Sequence, residues 1–337
     1  MKAVGYRKSL PITEPESLLD VELPDPTPSG RDLLVRVRAI SVNPVDSKVR
    51  KRAEPEPGGV KVLGYDAAGV VVATGPEATL FKTGDEVWYA GSIARQGTNS
   101  ELHLVDERIV GKKPRSLDFA HAAALPLTAI TAWELLFDRL EVAPGKRPTD
   151  QSLLIIGAGG GVGSILTQIA KRLTSLTVIG TASRPETSEW VRSLGADHVI
   201  DHTKPLSEEL KRIGLPHVTH VASLTQTDTH LAQIIESLAP QGKLGLIDDP
   251  QGIDITAFKR KSLSVHWELM FTRSLFDTPD IIAQHQLLNE VADLVDTGII
   301  RTTISDHFGK INAENLKRAH ALLESGKAKG KVVLESF

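Results

Sequence analysis

Residues 157–164 read GAGGGVGS, directly after the apolar run LLII at 153–156 and directly before an apolar, helix-forming stretch at 165–173. A strand that turns through small residues straight into a helix leaves few architectures open. Small residues allow the tight turn and let backbone N–H groups approach a pyrophosphate at the positive end of the helix. Gly157, Gly160 and Gly163 carry the spacing, and Gly161 and Val162 stand with them as expected contacts. Further strand candidates at 177–181, 198–200, 218–222, 243–247 and 262–269 alternate with helical stretches at 186–194, 206–213 and 231–238. Strands alternating with helices build βαβ units, so this part of the chain is expected to be α/β, a doubly wound parallel sheet that binds a dinucleotide.

The flanking sequence has a different texture. At 33–39 apolar residues alternate with Arg36 and Arg38, the period of a half-buried antiparallel strand. Short β-rich runs at 69–74 and 86–90 follow, separated by turns such as Lys82-Thr83-Gly84-Asp85. Near His121 the sequence becomes rich in Ala and Leu, which sets a domain junction there. A helix at 279–297 groups Ile281, Leu288, Val291 and Val295 on one face, with Gly298 as its stop. Strand character returns at 301–307 and 331–334 around a helix capped by Asn312 and ended by Gly326. The expected domains are 1–123 with 300–337, mainly β, and 124–299, α/β. The Glu-Pro-Glu-Pro-Gly-Gly run from Glu54 reads as a turn, a mobile loop or a lid.

Cofactor choice in such a fold is set at the end of the second strand, where an acid would hold the ribose hydroxyls of NAD. No acid stands there. Thr181, Ala182, Ser183 and Arg184 occupy the place, and a hydroxyl beside a guanidinium suits the 2′-phosphate of NADPH. The opposing reading makes Arg184 a solvated first-turn residue. Topology also puts Leu224 and Thr225, then Asp248 and Asp249, at carboxyl ends of later strands where ligands bind. The segment from Trp267 to Phe271 either walls the cofactor or is ordinary core, which makes Phe271 a cofactor candidate.

A net charge of −3 gives no footprint for nucleic acid or anionic lipid. The amino-terminal stretch lacks a signal-peptide core, and no segment reads as a run of ~20 apolar residues. The chain is therefore expected to be cytoplasmic, with neither nucleic-acid nor membrane partners. It contains no cysteine, which excludes disulfides, iron–sulfur clusters and thiolate zinc sites. His198 and His202 flank a strand end without metal-binding spacing, so no metal site is expected.

Val42-Asn43-Pro44-Val45-Asp46, Gly64-Tyr65-Asp66-Ala67-Ala68-Gly69, Gly84-Asp85-Glu86-Val87, the Ala-Leu-Pro-Leu-Thr-Ala segment and the glycine turn together resemble the medium-chain dehydrogenase/reductases. The likeness runs from end to end and is strongest to the zinc-type alcohol dehydrogenase-like proteins beside the quinone oxidoreductases. It implies a GroES-like substrate domain built from both chain ends, a Rossmann domain between them, and an active site in their cleft. Zinc-dependent members carry a ligand Cys and a ligand His where this sequence has Asn43 and Tyr65. The same likeness offers Lys331 as a contact to cofactor phosphate, against a plain reading of Lys327, Lys329 and Lys331 as a solvated cationic tail.

These residues set the functional expectation. Hydride transfer builds negative charge on the acceptor oxygen, which Asn43, Tyr65 or a water would stabilise. Asp46 either orients Asn43 or simply makes the turn after Pro44. Without a Lewis acid, reduction of a quinone or an α,β-unsaturated carbonyl is favoured over alcohol oxidation. The alternatives are a zinc-type alcohol dehydrogenase and a non-catalytic NADPH-binding sensor or structural protein. The alternating Leu263, Val265 and Trp267 predict an open sheet edge and hence a homodimer.

Overall fold

The computed structural model describes residues 1–337, which form two compact units: Met1–Ile130 with Phe271–Phe337, and Thr131–Met270. The first unit opens with β1 (Lys2–Tyr6), β2 (Leu19–Glu22), β3 (Asp32–Val42), β4 (Lys61–Val62) and β5 (Ala67–Thr74). It continues with β6 (Glu86–Tyr89), β7 (Leu102–Asp106) and β8 (Val110–Lys112). Helix α1 (Pro44–Arg52) interrupts these strands, and α2 (Phe119–Ala123) and α3 (Pro126–Trp133) follow them. Strand β3 behaves as its alternation predicts: Val35 and Val37 are buried, Arg36 and Arg38 are exposed, and β5 pairs with it antiparallel. The Lys82–Asp85 turn closes with Gly84 at φ +96°, a conformation that favours glycine.

The second unit holds β9 (Ser152–Ile156), β10 (Thr177–Thr181), β11 (His198–Ile200), β12 (Val218–Ser223), β13 (Leu238–Leu246) and β14 (Ser264–Trp267). These strands form one six-stranded parallel sheet in the order β11-β10-β9-β12-β13-β14, the doubly wound order expected of a Rossmann domain. Helices α4 (Gly161–Leu173), α5 (Pro185–Ser193), α6 (Leu206–Arg212) and α7 (Thr227–Ser237) connect them. Every residue of β9 is buried, as a central parallel strand covered on both faces requires. Leu154, Ile156, Ile179, Val221 and Leu244 lie in a single apolar core.

Helix α8 (Thr272–Phe276) and α9 (Ile282–Asp296) return the chain to the first unit, followed by β15 (Ile304–His307), α10 (Ala313–Glu324) and β16 (Lys331–Glu335). As expected, Asn312 caps α10, accepting from the Asn315 amide at 2.8 Å, and Gly326 ends it at φ +68°. Strand β16 pairs antiparallel with β3, so the tail does complete the first sheet.

The structure differs from the sequence reading over α9. Its apolar face predicts closure of the α/β domain at residue 299, but the compact α/β unit ends at Met270. Leu288 of α9 packs so closely on Gly111 of β8 that a Cβ there would lie 2.5 Å from it. His285 Nδ1 is 2.6 Å from the Val110 carbonyl, and the Lys112 amide donates to Asn289 at 2.8 Å. An amphipathic pattern fixes which face is buried and says nothing of which sheet buries it.

The stretch 119–139 is helical in pieces. This Ala- and Leu-rich sequence has helical propensity but carries Pro126 and polar residues, and it folds as α2, a break at Ala124–Leu125, then α3 and a π-helical turn at Glu134–Arg139, together spanning Phe119–Arg139. It has the length and apolarity of a membrane span, but 83% of its most apolar stretch is buried inside the protein, which marks it as core.

Candidate functional site

In the α/β unit, Gly157 takes φ +83° as β9 ends, which lets the chain turn beneath the start of α4. Gly163 is required by packing: a Cβ there would stand 2.4 Å from the Gly157 carbonyl oxygen and 2.5 Å from Ala158 Cα. Gly160 is different. Its nearest neighbour would be the Gly157 oxygen at 3.5 Å, so no internal contact excludes a side chain there. The open side at Gly160 suits close approach by a ligand. Ser164 makes the first helical bond, to the Gly160 carbonyl at 2.9 Å, leaving the amides of Gly161, Val162 and Gly163 without helical acceptors.

The structure brings Leu224 and Thr225 to this turn. A Cβ on Gly157 would meet Thr225 Cγ2 at 2.9 Å and Leu224 Cβ at 3.7 Å, and the Leu224 amide donates to the Ile156 carbonyl. Asp248 is engaged elsewhere, since its carboxylate accepts from the amide and hydroxyl of Thr227, at 2.9 and 2.5 Å, and so caps α7. At the end of β10, Thr181 is buried and its hydroxyl accepts from the Gly157 amide, whereas Ser183 is exposed. Arg184 forms the N-cap position of α5, its side chain 42% exposed and Nε 3.5 Å from Glu186.

The β unit gathers a second constellation. Asn43 follows β3 as the N-cap of α1 and precedes Pro44, the first residue of that helix, and Asp46 reaches back to accept the Asn43 amide at 2.7 Å. The other oxygen of Asp46 accepts from the Gly64 amide at 2.9 Å, so this buried carboxylate ties two loops together. Both readings of Asp46 hold in part, because it shapes the turn and also positions the Asn43 backbone. Burial pushes its carboxyl up to about 7, against the pull of those amides and of Lys331.

The Asn43 side chain donates to Asp66 at 2.8 Å and to the Ser41 carbonyl at 3.4 Å, while its oxygen accepts from Lys331. The ammonium of Lys331 is buried, not solvated as in the plain reading of the tail, and also reaches Asp66 at 2.9 Å and the Val42 carbonyl at 3.3 Å. Asp66 completes its set with the Leu127 amide at 2.8 Å. Burial raises the Asp66 carboxyl above its usual range, opposed chiefly by Lys331. Asp66 is not among the residues that sequence reasoning singles out, although a lone carboxylate opening the apolar run AAGVVVAT is the available signal.

Tyr65 is buried against the edge of Phe271, with ring centroids 5.4 Å apart at 73°. Its hydroxyl has no hydrogen-bond partner. Burial, and then the nearby Asp46, push the phenol above its ordinary value, so the group stays protonated as a donor. Phe271 lies in the β unit with Tyr65, while Gly157, Ser183, Arg184, Leu224 and Thr225 lie in the α/β unit.

A glycine turn opening a helix of a doubly wound sheet, and in the same chain a strand-rich unit closed by both chain ends, are the features of a nicotinamide-dependent oxidoreductase. Comparison with known proteins agrees. Residues 29–115 match the alcohol dehydrogenase GroES-like domain, and residues 194–334 match the zinc-binding dehydrogenase family. A zinc-type alcohol dehydrogenase-like protein of Staphylococcus aureus is 41% identical over 336 residues, 99% of each chain. A candidate zinc-dependent alcohol dehydrogenase from Rhizobium etli CFN 42 is 60% identical, with a TM-score of 0.96 over 100% of this chain and 98% of that one. The quinone oxidoreductase of Escherichia coli, solved with NADPH, is 26% identical with a TM-score of 0.85, covering 99% of this chain and 100% of its own. The chain belongs to the medium-chain dehydrogenase/reductase superfamily and is an oxidoreductase of that family.

Proposed function

We propose that this protein is an NADPH-dependent reductase of quinones or α,β-unsaturated carbonyls that transfers hydride directly, without catalytic zinc. The observation that carries this reading is the Tyr65 hydroxyl, buried, protonated and unpartnered where zinc-dependent relatives are expected to hold a ligand histidine. Burying a hydroxyl without a partner costs about 1–3 kcal/mol, a penalty that a bound acceptor oxygen would offset.

The donor set does not suit a zinc ion. Asn43 offers a neutral amide whose atoms already serve Asp66 and Lys331, Tyr65 holds its proton, an ammonium rests on Asp66, and both oxygens of Asp46 are taken by the amides of Asn43 and Gly64. No step is therefore routed through a metal.

The residues of the α/β unit fit a nicotinamide dinucleotide: Gly157 and Gly160 through the open turn, Gly161, Val162 and Gly163 through first-turn amides, and Leu224 and Thr225 beside them. Ser183 and Arg184 favour the 2′-phosphate of NADPH over the bare ribose of NADH. Bound there, the cofactor supplies the hydride. The part of this chain is to orient the acceptor and to stabilise the charge that grows on its oxygen, with Tyr65 as the hydrogen-bond donor. Asn43 is fixed by Lys331 and Asp66, and it holds the loop that carries the acceptor side of the site. Phe271 holds the Tyr65 ring by its edge. Lys331 acts through Asn43, and any contact of its ammonium with cofactor phosphate requires that it leave Asp66.

In the cell we place the protein in the cytoplasm as a homodimer joined along β14, with a small carbonyl or quinone as its only substrate partner. The test is NADPH oxidation at 340 nm by chelator-treated protein, against a quinone and an unsaturated aldehyde, with NADH in parallel. Turnover that prefers NADPH and is indifferent to added zinc is expected. Activity that appears only with zinc would overturn the metal-free reading, and binding without turnover would favour a sensor.

A further inference from the structure

A cleft of about 390 Å³ opens in the α/β unit where β10 and β11 end, lined by Ser183 and Ser188 on one side and by the segment after β11 on the other. Its charged side chains divide into two kinds. Asp201 is occupied by the amide and hydroxyl of Thr203, at 2.9 and 2.8 Å. Glu209 holds Arg212 through two bonds of 3.0 and 2.9 Å and accepts the Asp201 amide at 3.1 Å. The hydrogen bonds of the cleft's acids and of Arg212 are thus made within the protein.

Arg192, from the last turn of α5, and Lys204, from the loop after β11, are different. Both line the cleft and both are exposed; neither side chain makes a hydrogen bond or a close ion pair, although the Lys204 charge is felt by Asp201 and Glu209. Two cations without bonded partners and an exposed serine, Ser183, therefore share one concavity. That arrangement is complementary to a compact dianion bearing several acceptor oxygens.

Resting on the NADPH reading above, we propose that Arg192 and Lys204 are additional specificity residues for the 2′-phosphomonoester of the cofactor, acting with Ser183 and Arg184. Lys204 supplies a mobile point charge and Arg192 a planar fork, and each remains hydrated enough that its single contribution is modest. Discrimination is then shared among several cations, so no one substitution abolishes it.

Titration calorimetry with 2′,5′-ADP and with 5′-AMP isolates the phosphate from the nicotinamide. Wild type, R184Q and the double variant R192Q/K204Q are compared, with thermal melting as the check on folding. The double variant is expected to bind 2′,5′-ADP about tenfold more weakly, and 5′-AMP within about twofold of wild type. The loss should shrink as salt is raised. If wild type prefers 2′,5′-ADP and the double variant keeps that preference in full, the inference falls and the NADPH reading stands on Arg184. Equal weakening of both nucleotides also overturns it, since that would mark a general distortion. If wild type binds the two nucleotides equally, the NADPH reading itself fails and takes the inference with it.

Discussion

The ammonium of Lys331 and the carboxylate of Asp66 lie 2.9 Å apart with side chains 3% and 0% exposed, an ion pair that joins the last strand to the segment opening β5. Removing one member of such a pair leaves the other charged and unsolvated. K331M is therefore expected to lower the unfolding free energy by about 3–5 kcal/mol, and K331M/D66N by clearly less. Urea denaturation measures both. A single variant as stable as wild type would show that the pair contributes nothing.

Tyr65 separates a catalytic from a structural role. Because its hydroxyl bonds to nothing in the protein, Y65F should leave the melting temperature unchanged or slightly raised. The same variant should lose about a hundredfold in kcat if the hydroxyl faces developing charge. Wild-type kcat in a stably folded Y65F protein would remove Tyr65 from the reaction.

Glu134 and Glu268 form a buried acidic pair in the α/β unit, with Arg139 Nε 2.9 Å from Glu268. Burial first, and then Glu134, raise the Glu268 carboxyl well above its ordinary value. The folded state therefore keeps a proton that the unfolded chain releases above pH ~4.3. Stability should fall as pH rises from there through the folded value, by at most about 1.4 kcal/mol per pH unit. E268Q should flatten that slope, which thermal melts across pH 5 to 9 would reveal. A variant with the wild-type slope would assign the proton elsewhere.

Strand β14 ends the parallel sheet with Trp267 54% exposed and Leu269 just beyond it 52% exposed, while Leu263 and Val265 pack on the core. An uncovered edge with apolar side chains invites a second chain. Light scattering should report a dimer at micromolar concentration, and W267E should shift it to monomer. A monomeric wild type would leave the edge unexplained.

The two units are not equally legible in the sequence. The glycine turn can be read because each glycine answers a local demand: a left-handed φ at Gly157 and a helix pressed against its strand at Gly163. The position of Ser183 and Arg184 between β10 and α5 is legible by counting along one βαβ unit. The bond between Lys331 and Asp66 is not, because what joins them is the pairing of β16 with β3, a long-range event without a local pattern. The same limit explains α9, whose buried face is read correctly and whose partner sheet is not.

The way β16 closes the first sheet also orders events during synthesis. The α/β unit is one unbroken stretch, Thr131–Met270, and can collapse once that stretch is free of the ribosome. The strand-rich unit cannot do so, because β3 waits for β16 and Asp66 waits for Lys331. Until then the growing chain displays an unpaired β3 edge and a buried-type carboxylate without its cation, the interval in which a chaperone would find most to hold.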